Sequence, residues 1–368
     1  MKILKLIIAA LILQNIPSIA LLNYGPVVGT LLSYTTILLL LVYYILTPNR
    51  TKVNVWLITL ALTYFVISSF QYVGEAKFFI TDSLKYFIVI ICGYELIKRV
   101  KINEIYFIIL LGTITIALEA MFFPSKWGRY AGFYINPNVA GFICIYGYSL
   151  TYGLKKESLK LLGQFIFTLM GLLTFSRTFI VIWVCLNLIS LKISIKNIRI
   201  LGLGFLIISS LFFIDELVGL NNPRFDQLKK FVNNEQVSSK EINQDHRSDT
   251  WALFYDDIFK NPIFGNGYGT FTGKRGRIGA HNSYLVVVGE AGIIPLFIML
   301  SLFGYMMYWG LVLFKYAPNI IMHTIALSLF LLANHNFFNF YYIAFATMWI
   351  QSQINDFKEI KDKINNPT

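Results

Sequence analysis

The chain has 368 residues, of which 56% are hydrophobic and 14% charged, with a formal charge of +12 and a mean hydropathy of +0.63. A soluble domain carries roughly a quarter charged residues, and nucleic-acid binders spread their basic residues over a wet face. This composition argues against both and for a polytopic, all-α integral membrane protein with no nucleic-acid partner.

In chain order, apolar runs approaching span length (about 20 residues) are centred near 3–22, 27–46, 53–70, 78–97, 105–123, 139–154, 161–175, 178–191, 200–218, 284–314, 320–335 and 341–353. The reading is therefore about 12 transmembrane helices. Residues 1–214 hold helices 1 to 9, 215–283 form one large outer (periplasmic) loop, and 284–368 hold helices 10 to 12 and a tail. Alternate connections are basic: Lys2 and Lys5, Arg50 and Lys52, Lys98 to Lys101, Lys155 to Lys160, Lys192 to Arg199, Lys315, and Lys358 to Lys363. This positive-inside alternation puts both termini in the cytoplasm. Those connections hold 17 basic and 6 acidic residues, whereas the large loop holds nine of each. The excess charge is thus a topological signal, not a polyanion-binding surface. The start of the chain also looks like a signal peptide up to Ala20, but repeated spans follow it. Cys92, Cys144 and Cys185 fall inside spans and read as packing.

Four features concentrate on the outer side. The first is the turn-rich stretch Trp127 to Asn138, with Arg129 and an Asn136-Pro137-Asn138 run that either breaks the chain at the membrane edge, turning backbone and amide groups toward a cavity, or is an ordinary tight turn. The second is Ser176-Arg177 between two short spans. An arginine buried near a membrane edge is costly unless it is used. The third is a helix over 247–261. Trp251, Phe254, Tyr255, Ile258 and Phe259 form one apolar arc, Ser248 is the expected N-cap, and Asn261-Pro262 is the stop. Its apolar face should lie in the membrane interface, in contact with lipid. Arg247 at its positive end suits an anionic diphosphate or, more simply, snorkels. The following glycines, Gly265, Gly267 and Gly269, read as turns. The fourth is His281-Asn282-Ser283 at the start of the tenth span, with His281, Leu285, Val288 and Gly292 on one face. Gly292 would admit a neighbouring helix, and an imidazole can take a proton from a hydroxyl. Glu290 and Glu119 are intramembrane carboxylates that need partners. His335, between Asn334 and Asn336, caps a helix or touches substrate, while His323 reads as structural and His246 could assist Arg247.

The ordered set of Arg129 to Asn138, Ser176-Arg177, Arg247 with Trp251 and the Asn261 to Gly269 run, and His281 with Gly292 resembles the O-antigen ligase and O-antigen or capsule polymerase superfamily. The resemblance covers most of the chain. It implies a GT-C-like fold in the bacterial inner membrane. It also implies a metal-independent, inverting glycosyltransferase without cofactor, using an undecaprenyl-diphosphate-linked glycan. Under it, Arg177 and Arg247 bind the diphosphate and His281 acts near the acceptor hydroxyl. Arg129, Asn136, Asn138, Trp251, Asn282 and His335 line the substrate, and Gly292 and Glu290 support the site. The partners are the lipid-linked glycan, its acceptor and a candidate chain-length regulator. One departure stands out: the ligase pattern has Leu four residues after the loop arginine, where this chain has Trp251.

The chemistry of the residues agrees with that resemblance. Two arginines can stabilise a leaving diphosphate, and a histidine can assist the attacking hydroxyl. Three functions stay open. A polymerase of lipid-linked repeat units is favoured by Gly132 to Asn138 and by Trp251. A ligase would move the finished chain to lipid A-core. A lipid-linked oligosaccharide flippase would ordinarily show internal repeats and midplane polar sites, and neither is visible.

Overall fold

The computed structural model describes residues 1–123, 128–218, 247–273 and 278–365. Every regular element among them is helical. In chain order these are α1 (Lys2–Leu13), α2 (Ile16–Tyr24), α3 (Pro26–Leu46), α4 (Val55–Ser69), α5 (Ala76–Lys98), α6 (Ile102–Phe122), α7 (Pro137–Leu150), α8 (Glu157–Leu173), α9 (Arg177–Leu191), α10 (Ile198–Val218), α11 (Arg247–Lys260), α12 (Ser283–Ala291), α13 (Ile293–Val312), α14 (Pro318–Leu331) and α15 (Tyr341–Asn365). They divide into two compact units. One holds residues 1–108 and 248–368, the other 109–247.

Among the described residues three helices, α3, α6 and α13, are long and apolar enough to cross a membrane; α1 and α2 together make a fourth candidate, bent by 60°. The chain is thus built as a membrane protein. Helices α4, α9 and α14 are apolar but shorter. Two expected continuous spans are broken. The first bends where Asn15 takes a left-handed conformation (φ +56°) and Pro17 opens α2. The tenth is cut at Gly292 (φ +78°), which ends α12 and begins α13. Hydropathy averages over such single-residue breaks, which is why they read as continuous.

The first unit packs around aromatic rings. Tyr64 of α4 stacks on Phe338 at 3.9 Å, and Phe65, Tyr86 and Tyr268 close around them. Helix α5 approaches α15 closely because Gly93 leaves room for the Phe345 ring; a Cβ there would stand 2.9 Å from it. Lys5 pairs with Glu104 at 2.7 Å, fastening α1 to the start of α6. In the second unit α7 is buried all round, from Val139 to Leu150, as a central helix must be. Tyr148 on this helix donates to Asn187 Oδ1 at 2.8 Å, beside the Trp183 Nε1 to Thr168 Oγ1 bond between α9 and α8 at 3.0 Å.

Candidate functional site

In the second unit, the first two sequence features come together on one amide. Asn138 Oδ1 accepts from Arg129 Nη2 at 3.0 Å and from Ser176 Oγ at 2.9 Å. The local chain explains this placement. Asn136 caps α7 by accepting from Asn138 N at 2.8 Å, with Pro137 as the first helical residue. Ser176 caps α9 by accepting from Phe179 N. The two capped helix starts therefore present Asn138 and Ser176 to each other. Glu119 of α6 closes the connecting turn: one of its oxygens accepts from Ala131 N at 2.7 Å and Gly132 N at 2.6 Å. Arg177 is not buried as expected. It is the first residue of α9, exposed, with no hydrogen-bond or ion-pair partner among the described residues. A free guanidinium beside the positive end of a helix is prepared for an anion. Trp127 lies outside the described residues.

In the first unit, the third and fourth features come together. Phe254 of α11 packs on Phe271, Ala280 and Val286 in one buried cluster, with Ile258 beside it. The expected apolar arc is only partly correct. Trp251, Phe254 and Ile258 turn inward, whereas Tyr255 and Phe259 are exposed, Phe259 by 78%. Ser248, the expected cap, falls within the helix Arg247–Lys260, and its side chain lies outside the described residues. Asn261 and Pro262 end it as read. His246 and the side chain of Arg247 lie outside the described residues, as do 219–246 of the large loop.

After α11, Asn266 ties the chain to the end of α12: its N donates to Gly289 O at 2.7 Å and its Nδ2 to Asp257 O at 3.0 Å. Gly292 faces this turn, not a neighbouring helix; a Cβ would come within 1.9 Å of Ile263 O. Glu290 finds the partners that the sequence could not name. It is fully buried; Oε1 accepts from Phe271 N at 2.8 Å and Thr272 N at 3.2 Å, and Oε2 from Tyr64 Oη at 2.5 Å. A carboxylate with three donors is a stable way to bury a charge.

His281 precedes α12 rather than lying on it. It is exposed and left-handed (φ +48°), so it does not share the face of Leu285 and Val288. Asn282 is the cap and accepts from Tyr284 N and Leu285 N. The His281 ring stands edge-to-face with His335, centroids 4.8 Å apart. His335 is not a cap: α14 ends at Leu331 with Leu332 as its C-cap, and the chain then turns, with Asn334 Oδ1 accepting from Asn336 N at 2.8 Å. Burial and the neighbouring His281 pull the His335 imidazole down to about 4, so it is neutral at physiological pH, and its Nδ1 is buried without a partner. His323 is structural as read, its Nδ1 held by Asn319 O at 2.7 Å.

Sequence reasoning missed Tyr64 and Asp82, and gave Tyr268 no role beyond its place in the Asn261 to Gly269 run. Tyr268 donates to Asp82 Oδ2 at 2.8 Å, and burial together with that carboxylate pushes its phenol up. Beside them Tyr72, Glu75 and Phe78 line a cavity of about 390 Å³. The signal available was Asp82, charged together with Lys85 in the first turns of the apolar run 78–97. No protein-family model and no curated protein matches the chain.

Proposed function

We propose that this protein is a membrane glycosyltransferase that polymerises undecaprenyl-diphosphate-linked repeat units at the outer face of the bacterial inner membrane, on a GT-C-like frame of about twelve spans. The observation that carries the reading is Arg177, an exposed guanidinium at a helix start, next to a serine tied through Asn138 to Arg129. Such a group suits a leaving diphosphate. In the reaction, an acceptor hydroxyl attacks the anomeric carbon and the bond from that carbon to the diphosphate oxygen breaks. The electron pair leaves on the diphosphate, which Arg177 and Arg247 stabilise without a metal ion. The hydroxyl proton passes to His281. A single displacement inverts the anomeric centre.

Two further features support a sugar substrate. The His281 imidazole is exposed beside a neutral His335. The cavity at Tyr72, Phe78 and Asp82 offers aromatic edges and carboxylate acceptors for sugar hydroxyls. Deletion of the gene followed by glycan analysis tests the reading. Lipid A-core, or its equivalent acceptor, bearing a single repeat unit is expected. Long chains left on undecaprenyl diphosphate would instead make the protein a ligase, and loss of flipped intermediates a transporter.

A further inference from the structure

Helices α4 and α5 run from the Tyr268 turn to a second cavity, of about 610 Å³, at their other ends. The 15 residues of α4 separate the two by roughly 20 Å. Three lysines, Lys52, Lys98 and Lys358, line this cavity against one carboxylate, Glu359. Lys358 is held to the wall: its Nζ donates to Tyr305 Oη at 3.0 Å and sits 4.2 Å over the Trp309 ring. Among the described residues neither Lys52 nor Lys98 makes a direct ion pair, Lys98 feeling the Asp356 carboxylate at longer range.

A second observation is independent of the charge. Gln351 lines the same cavity and is 3% exposed. Its orientation is set by Asn54. Asn54 Oδ1 is used as the cap of α4, accepting from Leu57 N at 3.2 Å, so its Nδ2 must turn to Gln351 Oε1. That leaves Gln351 Nε2 as a buried donor with no partner. Leaving such a donor unmet is costly unless something accepts from it. An acceptor that also satisfies nearby ammonium groups is an anion.

We propose that this cavity binds a phosphate-bearing anion, with Gln351 Nε2 and the ammonium groups of Lys52 and Lys98 as its donors. Basic pockets between membrane helices take lipid headgroups in this way, and a soluble phosphate has the same chemistry. The proposal does not rest on glycosyl transfer.

The test uses the full chain. One arm reconstitutes it in phosphatidylcholine vesicles containing a minor fraction of phosphatidylglycerol, re-extracts it and counts bound phosphatidylglycerol by mass spectrometry. The other adds inorganic phosphate or pyrophosphate to lipid-stripped protein in non-ionic detergent and follows thermal stability. Retention, or anion-dependent stabilisation, should fall about five-fold for each of Lys52→Gln and Lys98→Gln and roughly ten-fold for Gln351→Leu. Lys315→Gln, an exposed lysine outside the cavity, should change neither. An effect in the first arm assigns a lipid headgroup, and one in the second alone a soluble phosphate. If both lysine variants, at the exposed Lys52 and the half-buried Lys98, melt as the parent chain does without anion and behave like Lys315→Gln in both arms, the proposal is wrong.

Discussion

Two carboxylates close turns in the two units, and they do it under different conditions. Glu290 is fully buried and uses both oxygens for three donors, Phe271 N, Thr272 N and Tyr64 Oη. Glu119 is half-buried and uses one oxygen for two, Ala131 N and Gly132 N. Water can replace Glu119 but cannot reach Phe271 N or Tyr64 Oη, which are buried with Glu290. The same motif is therefore a fixed part of the frame in one unit and an adjustable fastening in the other. In the first unit it holds the turn leading to His281; in the second it holds the turn leading to Asn138.

The largest expected effect follows from this. Glu290→Ala strands the Phe271 N–H and the Tyr64 hydroxyl in a dry site and frees the half-buried Thr272 N–H, and should cost about 3–5 kcal/mol. A thermal melt of the purified protein measures it, and a loss below about 1 kcal/mol would remove the contrast between the two carboxylates. Next come the reactive groups of each unit. Arg177→Ala and His281→Ala should each reduce glycan transfer by about 100-fold or more with normal insertion and melting. Arg177→Lys should restore only part, since the guanidinium fork is lost. Near-normal product from either alanine variant would take that residue out of the reaction.

A smaller effect depends on pH. The unfolded His335 imidazole takes up its proton near 6.5, whereas the folded one waits until about 4. Between those values the unfolded chain binds more protons, so stability falls as pH drops through that window, by roughly 1–3 kcal/mol in all. Melts at pH 7 and pH 5 should therefore differ less in His335→Phe than in the parent chain; an equal difference would show that the ring is not held neutral. The smallest effect is that of Glu119→Gln, which keeps a carbonyl oxygen for the turn and should cost under about 1 kcal/mol. A cost matching that of Glu290→Ala would make the two turns equivalent.

Local signals were legible in the sequence. The span of α11 and its stop at Asn261-Pro262 follow from periodicity and proline chemistry. The caps Asn136, Ser176 and Asn282 belong to residue types that prefer that position. What was not legible depends on partners far apart in the chain. Tyr64 and Glu290 lie 226 positions apart, and Tyr268 and Asp82 lie 186 apart; no spacing rule connects such pairs. The breaks at Asn15 and Gly292 were hidden for a different reason, since a single left-handed residue leaves hydropathy unchanged. His281 was placed one turn too deep because its face was counted as helical before the helix begins.

Ile135, Phe175 and His281 each take a positive φ directly before a capping residue, at +65°, +48° and +48°. Non-glycine residues pay about 1–2 kcal/mol for that conformation, and a branched one such as Ile135 is a true outlier. Laboratory evolution for heat tolerance should therefore find glycine at these sites, although glycine is penalised almost everywhere else in a helical chain. At 135 and 175 the gain would leave the chemistry in place. At 281 it would remove the imidazole, so selection for robustness and selection for turnover would pull that single codon in opposite directions.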